Sequence, residues 1–290
     1  MGPKGIGEDE EARSLQPVEG ARSPEIEFEV QVAPPTRLTT YKRGGEVRYE
    51  IDRDAADRLY ASHPGGVEAF RAVSDAGHAF LERAVRYLTD DAGMRQFLVM
   101  GTANPGRANV HEIAQATAPE SRAVYVLFDP LMLVYAHRLQ RGTDGTTTFV
   151  RARLGDTDVI LEQAASTLDL SEPVAVIMPA NLSYVRSADT AARLVDQLME
   201  PLAAGSHLVT THHASDLLAD EVTPVYRRIA ELAAERRAWE VAPRSHAEVS
   251  ALFERLELVE PGLVPIEQWR PTEPVDEPIT VAMYGAVNRK

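Results

Sequence analysis

The sequence predicts an α/β fold built on a mostly parallel sheet with helices on both faces. Three observations predict it. From about residue 67 onward, short apolar runs alternate with amphipathic stretches, and βαβ crossovers of this kind favour parallel pairing with helices covering the sheet. Two of the amphipathic stretches open on a capping signature, in which Asn or Ser is followed three residues later by Glu. The chain has 290 residues, 44% of them hydrophobic, which suffices to bury the core of one large domain or two small ones.

The elements follow in order. Residues 1–24 mix acids, Gly, Pro and Ser without apolar periodicity, so a disordered tail is expected there. Glu25 to Val32 reads EIEFEVQV, the alternation of a half-buried strand, and RLTTYKRGGEVRYEI carries apolar or aromatic residues on both sides of Gly44-Gly45, which predicts a hairpin. Residues 25–66 are therefore expected to form a strand and hairpin flap, and residues 67–290 the main domain. Phe70, Val73, Ala76, Phe80, Ala84 and Leu88 recur at helical spacing over Val67–Leu88. Strands are predicted at Gln96–Met100, Ala123–Phe128, Thr147–Arg151, Val174–Met178, His207–Thr211 and Ile279–Tyr284. Helices are predicted at Asn109–Ala118, Leu131–Gln140, Val159–Leu168, Ala188–Leu202 and Val222–Trp239. Asn109 with Glu112, and Ser245 with Glu248, have the spacing of capping boxes.

Composition excludes several classes. Without cysteine there are no disulfides, thiolate metal sites or cysteine nucleophiles. A formal charge of −14 opposes nucleic-acid binding, and a small-molecule substrate is the default expectation. No run of eighteen apolar residues and no secretory leader is present, so a cytoplasmic protein outside the membrane is expected. Adjacent His212 and His213 point to opposite faces of a strand, and no HExxH helix occurs, so no metal site is expected. The GxSxG elbow of serine hydrolases is absent. Oligomeric state is left open.

In parallel sheets of this type, ligands lie beyond the carboxyl ends of the strands where strand order reverses. The turn after the first central strand, Gly101 to Gly106, is placed for that crevice. The blocks FLERAVRYLTDDAGMRQFLVMGT, NVHEIAQATAPESRAVYV, FDPLMLVYAHRL, SEPVAVIM, PLAAGSHLV and ELVEPGLVPIEQWRP resemble the actinobacterial S-adenosylmethionine-dependent methyltransferases long known as a domain of unknown function. The resemblance spans roughly Arg37 to Lys290. It implies a class I methyltransferase (Rossmann-like) sheet ending in an antiparallel strand, supplied by Ile279–Val287, and S-adenosylmethionine as cofactor. It also exposes departures. The family reads FLDIGTGLPT where this chain has FLVMGTANPG, so Val99 replaces an aspartate and Ala103 a glycine. YVDNDP becomes YVLFDP, which puts Leu127 in place of the acid that accepts both ribose hydroxyls. ADLRD becomes ARLGD, with Arg153 replacing a further acid. Each lost acceptor costs about 1–3 kcal/mol, and together they remove about two to four decades of affinity if the costs add.

On this reading the cofactor is held by main-chain groups of Gly101, Thr102, Ala103 and Asn104, with help from Asp129 and Asp156. Both aspartates also suit helix N-caps. The loop after the fourth strand offers Asn181, Ser183 and Tyr184 to an acceptor, with Tyr184 equally suited to packing. His212 is a candidate general acid or base, and His213 a substrate contact; a structural strand-end histidine is the alternative for either. Tyr41, Tyr49 and Trp269 are candidates to line a pocket beneath the flap, against a plain packing role. Three functions follow: a methyltransferase with a degenerate cofactor site, a methyltransferase-fold enzyme catalysing a cofactor-independent rearrangement or cyclisation, and a non-catalytic binding or regulatory protein.

Overall fold

The computed structural model describes residues 50–63, 65–101, 108–128, 146–235, 239–273 and 278–290. The tail, the strand at 25–32, Tyr41, Tyr49 and the helix at 131–140 lie outside the described residues. So do Thr102, Ala103, Asn104 and Asp129.

Helix α1 (Glu50–Tyr60) is the first described element. The expected hairpin strand reached Ile51, whereas Glu50 and Ile51 here open a helix. The cause is the spacing of Ala55, Ala56, Leu59 and Tyr60, all buried, reinforced by Glu50 and Asp52 at the positive end of the helix dipole. Helix α2 (Gly66–Asp90) buries Phe80, Ala84, Val85 and Leu88 at the predicted helical spacing.

The sheet contains β1 (Gln96–Met100), β2 (Arg122–Leu127), β3 (Thr147–Arg151), β4 (Ala175–Pro179) and β5 (His207–His213), followed by β6 (Glu257–Leu258), β7 (Val264–Pro265) and β8 (Met283–Arg289). Their order is β3-β2-β1-β4-β5-β8-β6, with β7 also paired to β8. Strands β1 to β5 are parallel, and β8 runs antiparallel to β5. The chain builds outward from β1 to β3 and then returns to β4 on the other side of β1, so the topological reversal lies between β1 and β4. Between strands run α3 (Val110–Gln115), α4 (Thr157–Ala164), α5 (Ala188–Met199), α6 (Ala219–Ala234) and α7 (His246–Ala251).

Residue parity sorts the core into two layers, as the two-residue repeat of a strand requires. Leu98, Met100, Val124, Val126, Val176, Met178 and Leu208 face a core shared with Ile160 on α4 and Val195 on α5. Phe97, Val99, Ala123, Tyr125, Ala175, Ile177 and Val209 face the other core with α2 and α3. Both predicted capping boxes form, at Asn109 with Glu112 and at Ser245 with Glu248. The last strand begins later than expected, at Met283. Upstream of it, the Thr280 N–H and hydroxyl donate to the Glu267 carboxylate at 2.9 and 2.6 Å, which ties that segment to the preceding turn instead of to a strand neighbour.

Candidate functional site

At the carboxyl end of β1, Gly101 takes φ +133°, and a Cβ built there meets no atom of the described residues within 4 Å. The backbone is therefore open to close approach by a ligand at a position where a side chain would be strained. Its N–H donates to the Val126 carbonyl at 3.0 Å, which fixes the start of the turn against β2.

The side chains around this turn are apolar where acids were looked for. Val99 and Leu127 are buried, Val99 in the layer with α2 and α3. After β2, the half-buried Phe128 lies under the Arg153 guanidinium, whose carbon is 5.2 Å from the ring centroid. This cation–π contact puts a flat, positively charged pair at the ends of β2 and β3. Asp156 occupies the N-cap position of α4, but its carboxylate does not cap the helix. It turns back and accepts the Arg153 N–H at 3.2 Å. That bond steadies the turn carrying Arg153, so the side-chain cap expected of Asp156 is replaced by a turn-closing bond.

The second half of the site stands at the ends of β4 and β5. Ala180 follows β4 in the left-handed region at φ 58° and ψ 5°, which costs a non-glycine residue about 1–2 kcal/mol. Its N–H donates to Thr211 O at 3.1 Å, so the strain is held by the sheet. The short helical turn Asn181–Tyr184 follows. Ser183 is buried, and its Oγ accepts the His213 N–H at 3.0 Å, stitching the turn to β5. Asn181 Oδ1 is buried without a hydrogen-bond partner among the described residues. Tyr184 is half-buried, and burial pushes its phenol up to about 12.

Arg244 was missed by sequence reasoning, because it is a single arginine in an unremarkable loop. It is 4% exposed. Its Nη1 donates to Leu182 O at 3.1 Å and to His212 Nε2 at 2.9 Å, while Nη2 donates to Val185 O at 2.7 Å and Arg186 O at 3.3 Å. One guanidinium thus clamps the exit of the Asn181–Tyr184 turn to the end of β5.

His212 is fully buried within this clamp. Because Nε2 accepts from Arg244, Nδ1 carries the proton and donates to His213 O at 2.9 Å. Burial, aided by the Arg244 charge, lowers its pKa to about 4. Both ring nitrogens are thus engaged, and the ring joins Arg244 to the end of β5. His213 faces the other way, edge-on to Tyr184 at 6.5 Å and to Tyr226 of α6 at 6.2 Å between ring centroids. Tyr226 carried no sequence signal, since its contacts are set by how α6 packs. Trp269 is fully buried against Phe80 and Tyr87 of α2, so it packs the core.

Among the described residues no helix is long and apolar enough to cross a membrane, and no group of three or more His, Asp or Glu is arranged to hold a metal ion. A family model described as S-adenosyl methyltransferase matches residues 21–290. A DUF574 family protein of Streptomyces avermitilis is 37% identical, covers 91% of this chain and 99% of its own, and superposes with a TM-score of 0.80. A candidate methyltransferase of Thermobifida fusca is 30% identical, with 93% and 99% coverage and a TM-score of 0.79. No curated protein matches.

Proposed function

Because the chain belongs to the S-adenosyl methyltransferase family, we propose that it transfers the methyl group of S-adenosylmethionine to a small molecule, through a cofactor site whose sugar-binding acids have been replaced. The observation that carries this reading is Gly101. Its positive φ, with no described residue crowding the position of a Cβ, suits close approach of a ligand to the backbone, at the strand end next to the topological reversal.

The residues fit the cofactor in part. Gly101 admits it against the main chain, and Phe128 with Arg153 presents a planar surface to an adenine ring. Leu127 offers nothing to the ribose hydroxyls, and Arg153 adds positive charge beside a cationic ligand. When bound, S-adenosylmethionine supplies an electrophilic methyl group. The chain's own contribution is orientation and exclusion of water, with the acceptor met by Asn181, Tyr184 and His213 on a turn held rigid by Arg244 and Ser183.

A second reading, cofactor-independent chemistry on the same scaffold, is favoured by Leu127 and Arg153, neither of which can accept a hydrogen bond from a sugar hydroxyl. Calorimetric titration separates the two. Methyl transfer predicts binding of S-adenosylmethionine with a Kd below about 100 μM. Absence of binding at millimolar concentration would leave the second reading.

A further inference from the structure

We propose that the group of Asn181, Tyr184, His213 and Tyr226 at the carboxyl ends of β4 and β5 binds the methyl acceptor, and that this acceptor is an amine. The inference rests on the methyl-transfer reading and names the substrate class of that site. Asn181 Oδ1 is a buried acceptor to which no described residue donates, and such an atom calls for a ligand N–H or O–H. Tyr184, three residues on, has no hydrogen bond from its hydroxyl to any described residue, and the Tyr226 hydroxyl is turned away to Ala214 O at 3.1 Å. What these two tyrosines present, together with His213, is ring surface. His213 stands edge-on between them at interplanar angles of 80° and 79°. Aromatic faces grouped in this way attract ammonium ions.

Charge and protons decide between an amine and a hydroxyl. Among the described residues no carboxylate bonds to Asn181, Tyr184 or Tyr226, and the Tyr184 phenol stays protonated, with its pKa raised to about 12 by burial. A hydroxyl acceptor would have to pass its proton to His213 as the methyl arrives. An amine that has given up its proton to water before attack needs no base at that moment. Its nitrogen lone pair forms the N–C bond as the C–S electron pair returns to sulfur, so the positive charge passes from the sulfonium to the nitrogen product, and that ammonium then releases its proton to water. The ring faces favour the charged product in place. The buried cation Arg244 is engaged by the carbonyl oxygens of Leu182, Val185 and Arg186 and by the His212 ring.

The test is calorimetric titration of the full chain, saturated with S-adenosylhomocysteine, with benzylamine and with benzyl alcohol. Benzylamine is protonated at neutral pH and stands for the ammonium product; the alcohol has the same shape without the charge. Benzylamine is expected to bind about tenfold more tightly than the alcohol. Asn181→Leu should abolish that preference, and the isosteric Asn181→Asp should strengthen amine binding. Tyr226→Leu should weaken amine binding about fivefold, with the affinity for S-adenosylhomocysteine held within about twofold. Equal binding of the two probes, or a preference that survives Asn181→Leu, overturns the proposal. A Tyr226→Leu variant that weakens S-adenosylmethionine but not S-adenosylhomocysteine also overturns it, because the rings would then be holding the sulfonium. If S-adenosylhomocysteine itself does not bind, the methyl-transfer reading falls, and the same titrations on the ligand-free chain still decide whether this site takes an amine.

Discussion

Leu127 ends β2 with a buried, wholly apolar side chain at the position where a sugar-binding carboxylate was looked for. Leu127→Asp should therefore raise affinity for S-adenosylhomocysteine about tenfold by calorimetry. The same variant should melt at a lower temperature without ligand, since the new carboxylate is buried before any hydroxyl arrives to meet it. His212 supports a second prediction at this scale. Its folded pKa, lowered to about 4 by burial and by Arg244, lies below its ordinary value of 6.5, so the unfolded chain takes up the proton first. The stability due to the neutral ring is complete above pH 6.5, is lost as pH falls through the window toward 4, and changes no further below it. About 2–3 kcal/mol is at stake. Urea denaturation from pH 7 to 4 should show a steeper loss for the wild type than for His212→Gln; parallel curves would contradict the assignment.

At the scale of elements, β8 and α2 meet at a contact that tolerates no side chain. A Cβ on Gly285 would stand 2.7 Å from Phe80 Cε2 and 2.9 Å from Ile266 Cγ2, so Gly285→Ala should cost about 1–3 kcal/mol in chemical denaturation. Phe80→Leu in the same chain should recover part of that loss, which a double-mutant cycle reads directly. The Arg244 clamp joins the turn after β4 to the end of β5, and Arg244→Met should speed amide exchange at Leu182 to Arg186 while leaving β1 and β2 protected. The strands β1 and β3 and both capping boxes were legible in the sequence because their causes are local: an apolar run of fixed period, or two residues three apart. Arg244 was not legible, because its acceptors are carbonyls and a histidine 32 to 62 residues away. The start of β8 was misread for a similar reason. Ile279 and Val281 fit a strand pattern, but Glu267 claims the backbone donors beside them. Around Ile51, the apolar positions fit either period, and burial against α6 through Leu59, Val225 and Leu232 decides for a helix.

For the whole molecule, strand order places the two halves of the site on either side of β1 and β4. In the proposed reading Gly101 and Phe128 serve the cofactor end, and Asn181, Tyr184 and His213 the acceptor end. The parallel sheet and the antiparallel last strand were readable from the alternation of elements and from the family resemblance. The geometry of the acceptor end was not, because it is made by a strained Ala180, a buried clamp and a tyrosine from α6 that meet only in three dimensions. The central claim is that this scaffold holds S-adenosylmethionine by its backbone and flat ring surfaces, with the sugar scarcely gripped. Calorimetry comparing S-adenosylhomocysteine with its 2′-deoxy analogue tests that claim most directly. The account predicts affinities within about twofold of each other for the wild type, and a preference of about tenfold for the hydroxylated ligand in Leu127→Asp. A tenfold loss on removing the hydroxyl from the ligand of the wild-type protein, or no binding of either compound, would contradict it.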